Sequence, residues 1–135
     1  MIKCTLFTTN LWPVDSAFVE GDEIAIVIAD TGKVDTAMKQ TVRHYVNDAK
    51  IQTHSAYLKK NLFEIPLVYV HDGAVEWVEG FHQVTAAKEA GLKVIPLTTA
   101  ARMAPELIAL VGADDEKRAT MTYSFAECAD ARRFN

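Results

Sequence analysis

Two strand-forming runs, IPLVYV at 65–70 and AVEWVE at 74–79, stand on either side of His71-Asp72-Gly73. Asp-Gly between two β runs is a strong hairpin signal, because the tight turn that matches strand twist needs positive φ at both central positions. The return run alternates with period two and stops at Gly80. An alanine-containing stretch, Phe81–Ala90, then reads as helix, with Gly91 as its left-handed cap. KVIPL at 93–97 reads as a further strand, and Pro96 within it points to a sheet edge or a strand end. A hairpin, a helix and a strand in immediate succession confine the chain to an α/β (α+β) architecture, a small mixed sheet with flanking helices.

The flanking sequence fits that frame. IKCTLFT at 2–8 reads as a strand, Asn10–Ser16 as a loop, and Glu23–Ala29 as a buried strand from its unbroken Ile/Val content. Asp30-Thr31-Gly32 breaks the chain. Val34, Met38, Val42, Tyr45, Val46 and Ala49 recur at three- and four-residue steps, which predicts one helix over 34–49. A shorter helix is expected from Thr53 to Lys60, with Thr53 as its N-cap. Thr98-Thr99 is expected to cap a helix over Pro105–Val111, Thr120–Phe125 to form a last strand, and the tail Ala131–Asn135 to be partly mobile.

At 135 residues the chain is expected to form a single domain, 1–135, with a core that needs neither disulfides nor a structural metal. The net charge of −4 argues against duplex DNA as the main partner, since that work calls for positive charge along a phosphate backbone. The longest apolar stretch, IAIVIA at 24–29, is far too short to cross a bilayer. No membrane partner is expected. The first residues carry no signal-peptide pattern, and Cys4 and Cys128 fit buried thiols in a reducing compartment, so a cytoplasmic location is expected.

The junction at Gly80 is the candidate site. A helix N-terminus presents unpaired N–H groups and the positive end of a dipole, which together hold an anion. Gly80 lets the backbone approach a ligand closely, His82 offers a donor, and Gln83 offers weaker amide donors. Taken alone, one glycine before a helix is commonly a plain tight turn. The wider segment PLVYVHDGAVEWVEGFHQVTAAKEAGLKVIPL, about residues 65–98, resembles the ParB/sulfiredoxin-like superfamily. Its members carry a proline-led strand, a turn, a second strand, Gly-x-His/Arg-Arg entering a helix, then a glycine and a strand with proline.

That resemblance implies a phosphate or nucleotide site formed by Glu79, Gly80, Phe81, His82 and Gln83, with ATP or CTP and magnesium as the candidate ligands. His82 stands at the family's His/Arg position, but Gln83 replaces an arginine, losing both charge and a bidentate fork. Phe81 replaces the reactive cysteine of sulfiredoxins, which excludes their chemistry at this position. Partition-type ParB proteins have glutamate there and a downstream helix-turn-helix, and these 135 residues show neither. The stand-alone fertility-inhibition proteins of the Osa type are the most similar members. They block DNA transfer through conjugation machinery and have been linked to nucleotide hydrolysis and nuclease activity.

Other residues carry weaker signals. His71-Asp72 reads as turn chemistry rather than a base and its orienter. Glu76 and Glu79 lie on the strand before Gly80, and Glu79 is the local carboxylate that could hold a metal or act as a base. His44 and His54 lack metal-ligand spacing and read as surface or helix-face positions, and Trp12 and Trp77 as core. Lys59, Lys60, Arg102, Arg132 and Arg133 are cations that could serve the site, each more simply solvated. No catalytic residue and no metal site follows. The resemblance favours a regulatory or inhibitory domain from a mobile element, plasmid or phage, that works on a protein partner and takes a small nucleotide. The alternatives are a nucleotide phosphohydrolase, kinase or nuclease, and a scaffold that has lost its ligand site and acts through protein contacts alone.

Overall fold

A computed structural model describes residues 1–135. In chain order the elements are β1 Ile2–Leu6, β2 Ile24–Asp30, α1 Thr31–Gln40, α2 Asp48–Lys59, β3 Leu62–Ile65, β4 Leu67–His71, β5 Ala74–Glu79 and α3 Phe81–Glu89. They continue with β6 Val94–Ala100, α4 Ala104–Val111, α5 Asp115–Arg118, β7 Tyr123–Ser124 and β8 Ala131–Arg133. The strands form two sheets, a parallel one ordered β3-β1-β7 and a mixed one ordered β5-β4-β6-β2-β8, so the fold is α+β. The unbroken apolar run becomes β2. All seven of its residues are buried, between antiparallel β6 and parallel β8. Cys4 and Phe63 of the small sheet share one core with Val27 and Leu97 of the large one.

The hairpin forms as its residues dictate. Asp72 and Gly73 take φ of 49° and 72°, and β4 pairs with β5 around them. Gly91, at φ 77°, closes α3 with the Leu92 N–H on the Ala87 carbonyl and its own N–H on Lys88.

Several expectations are corrected. The helix predicted over 34–49 is two helices with a loop between them. Thr41 leaves helical geometry at φ −73°, ψ 138°, and its hydroxyl donates to Glu76 Oε2 at 2.8 Å, a partner 35 residues away. Val42 is fully exposed in the loop, so the apolar spacing ran through it by coincidence. Asn47, not Thr53, caps α2 by accepting the Lys50 N–H, and Thr53 lies inside that helix with its hydroxyl on Ala49 O.

The strand predicted over 65–70 is divided at Pro66, where the chain leaves β3 in one sheet and enters β4 in the other. Pro66 O accepts both the N–H and the hydroxyl of Thr98, each at 2.8 Å. Pro96 lies inside the large sheet, not at an edge. Its nitrogen points the same way as that of Thr98, towards β4, whose single ladder pair with β6 is Leu67 with Thr98. No hydrogen bond is therefore lost. Thr98 and Thr99 belong to β6 and cap nothing.

The last predicted strand shrinks to Tyr123–Ser124. The tail is held in place. β8 runs along β2, the Phe134 N–H bonds Ile26 O, and the Asn135 amide both accepts from Ile28 N–H at 2.7 Å and donates to Ile28 O at 2.9 Å. A side-chain amide thus continues the ladder as a peptide would. Cys4 and Cys128 are both buried free thiols, brought together from opposite ends of the chain. Cys128 Sγ lies 3.4 Å from Cys4 O, and burial pushes the Cys4 thiol up to about 12. No helix is long and apolar enough to cross a membrane.

Candidate functional site

The five residues Glu79–Gln83 sit where β5 turns into α3, as the glycine junction implies. The reason for the glycine is different. Gly80 has φ 126°, and a Cβ there would lie 2.4 Å from Pro66 Cβ and 2.8 Å from its Cα. The close approach is to the proline corner between the sheets, not to a ligand. No side chain caps α3, and the N–H groups of Phe81, His82 and Gln83 donate to no protein acceptor.

The polar side chains are committed inward. His82 is buried, and its Nε2 accepts the Asn47 N–H at 3.1 Å, so that nitrogen carries no proton. Burial depresses its basicity, helped by the Lys50 charge and opposed by Glu79. His82 also meets the edge of the Tyr45 ring at 5.9 Å. Gln83 is fully buried. Its Nε2 donates to Glu64 Oε1 at 3.1 Å and to Glu79 Oε1 at 3.3 Å. Two carboxylates thus share one amide. Burial raises the Glu64 carboxyl pKa, the Glu79 charge raises it further, and the Gln83 bond opposes both. His54, on α2, is depressed by burial and by His82.

The electrostatics are the reverse of a phosphate cradle. The charges at the Gln83 amide are two carboxylates. The atom left over is the buried Gln83 Oε1, which lacks a partner and is an acceptor. An orphaned acceptor beside two carboxylates asks for a donor, not for an anion. None of the three main clefts is lined by residues 79–83. No group of His, Cys, Asp and Glu is arranged to hold a metal.

The structure brings Glu64, His54 and Asn47 to the predicted residues. Sequence reading passed over Glu64 and Asn47, and the helix-face position it allowed for His54 is on α2. Glu64 reaches Gln83 because β3 packs against α3. The one signal was a carboxylate inside the short apolar run LFEI. Arg102, Arg132 and Arg133 are engaged elsewhere. Arg102 binds Asp22 through Nε and Nη2 at 2.8 and 2.9 Å and also donates to Ala17 O, which holds Asp22 below the usual carboxylate range. Arg132 and Arg133 lie over the Phe134 and Phe125 rings. His71 and Asp72 pair with each other on the exposed hairpin turn. Among known proteins, no family model, no curated protein and no solved structure matches this chain.

Proposed function

We propose that this chain is a regulatory or inhibitory domain of a mobile element that acts by contact with a protein machine such as a conjugation apparatus. On this reading the Gly80 junction serves the fold rather than phosphoryl chemistry. The observation that carries it is the inward commitment of the junction. Gly80 packs on Pro66, His82 accepts a backbone N–H, and Gln83 is held between Glu64 and Glu79. Phosphoryl transfer needs preorganised positive charge on the phosphate oxygens, and the junction offers two negative groups instead. The mobile-element part of the proposal rests on the ParB/sulfiredoxin-like resemblance of residues 65–98.

The surface offers a means of contact. The long segment between β1 and β2 exposes Phe7, Trp12, Val14 and Val19, each 40–55% accessible. These four side chains are the contact surface that this reading uses. The test is plasmid transfer from donor cells that express the chain. Transfer should fall at least tenfold against empty vector, the fall should persist in Glu79→Gln, and it should disappear in Trp12→Ser/Val14→Ser. Unchanged transfer with the protein present and folded would remove the proposal. Nucleotide hydrolysis at ordinary enzyme rates, lost in Glu79→Gln, would replace it with the enzyme reading.

A further inference from the structure

A second region differs from the junction in being open. A cleft of about 590 Å³ lies between α1, the hairpin turn and α4. That is within the usual size of a small-molecule site, roughly 300–1,000 Å³. Lys33, Thr36, Ala37 and Gln40 line it. Steps of three and four put these residues on one face of α1, which therefore forms a wall of the cleft. Ala37, Val75, Leu110 and Val111 supply apolar lining.

The two ends differ in charge. At the start of α1, Lys33 makes no salt bridge, and Lys117 is paired with Asp30. Among the lining residues at that end the net charge is one positive, from two lysines and one aspartate. At the far end Glu76 uses Oε2 to accept from Thr41, and its Oε1 accepts nothing from the protein. Seven residues of helix separate Lys33 from Gln40, about 10 Å at 1.5 Å per residue. The cleft thus has a free cation at one end, a free carboxylate oxygen at the other, and apolar lining between them.

We propose that this cleft binds a small molecule with an amino-bearing ring at one end and an anionic group at the other. The amine donates to Glu76, the ring lies against Val75 and Ala37, and the anion, phosphate or carboxylate, sits at Lys33. This site is independent of the Gly80 junction and of the regulatory reading. It uses no residue of either.

Titration of the whole chain followed by amide NMR tests it, with CMP as the phosphate probe and 4-aminohippurate as the carboxylate probe. UMP lacks the amine, and cytidine lacks the anion. Saturable shifts confined to residues 30–41, 73–76, 110–111 and 117 are expected with CMP or with 4-aminohippurate, and which of the two binds identifies the anion. UMP, cytidine, Lys33→Glu and Glu76→Gln should each weaken binding about tenfold, a loss of about 1.4 kcal/mol. Thr36 is exposed, so Thr36→Trp fills the cleft from a tolerant position and should abolish binding in a folded protein. His82→Ala should leave affinity unchanged. The proposal is overturned if neither probe binds at 5 mM, if the shifts map to another face, or if Thr36→Trp binds as the parent does.

Discussion

The Gly80 junction and the α1 cleft are opposites. At the junction nearly every polar side chain is paired within the protein, and the glycine is filled by a neighbouring proline. Along the cleft a lysine and a carboxylate oxygen have no protein partner and face an open volume. Yet the junction has the sequence pattern of a ligand site, whereas the cleft residues read as an ordinary amphipathic helix and a turn. Residue type announces what a side chain could bind. Whether it is already bound depends on partners distant in sequence, such as Pro66, Asn47 and Glu64.

The contrast is broken or sharpened by substitutions on each side. Gly80→Ala should have the largest effect. Its Cβ would fall inside Pro66, at a φ that side chains rarely adopt, and strain and overpacking together cost about 3 kcal/mol or more. Urea unfolding measures this. A loss below about 0.5 kcal/mol, the range of neutral surface changes, would mean that Gly80 is not there for packing.

His82→Ala comes next. It leaves the Asn47 N–H without its acceptor at the start of α2 and empties a buried position, at about 2 kcal/mol. The burial of this ring also sets a pH dependence. The folded His82 and His54 have depressed pKa values, so the unfolded chain takes up protons first. Their contribution is present above the ordinary histidine value of about 6.5 and is lost as pH falls through the folded values. Stability measured between pH 7 and pH 5 should fall less steeply in His82→Ala than in the parent. Equal slopes would show that His82 is not buried neutral.

Glu64→Gln should be smaller and opposite in sign. The folded Glu64 pKa is raised, so its stabilising contribution is full below the ordinary glutamate value and is lost as pH rises through the folded value. Once ionised the carboxyl is a burden, so at pH above the folded pKa removing its charge should raise the melting temperature, with the gain shrinking as pH falls. A drop in melting temperature at pH 7 would show that Gln83 needs both charges. Smallest of all is Lys33→Ala, expected within about 0.5 kcal/mol of the parent because Lys33 pairs with no acid. A larger loss would mean that the open end of the cleft is structural after all.

What could be read from sequence was what local chemistry fixes. Asp72-Gly73 made its turn and Gly91 its cap because each needs only its own φ and its near neighbours. The 34–49 helix failed because Thr41 is drawn out of helical geometry by Glu76, a contact no periodicity reveals. The 65–70 strand failed because Pro66 was read as the start of one strand when it is the corner between two sheets. β8 was missed because Ala-Arg-Arg has no apolar alternation, and its pairing runs through backbone and the Asn135 amide. At the candidate site, the glycine, histidine and glutamine were visible. Their occupants were not.

The order of the strands also bears on how the chain comes to be folded. β1 pairs with residues 62–65 and 123–124, and β2 with residues 94–100 and 131–133. The stretch from β1 to β2 therefore completes no sheet of its own. The unbroken IAIVIA run must wait more than sixty residues for β6, in the meantime a sticky, unpaired strand. The hairpin with α3 and β6 is the one stretch whose contacts are mostly close in sequence, and so the natural nucleus. On that order, pairing spreads from the middle of the chain outward, and β2 and β8 join the large sheet through contacts distant in sequence.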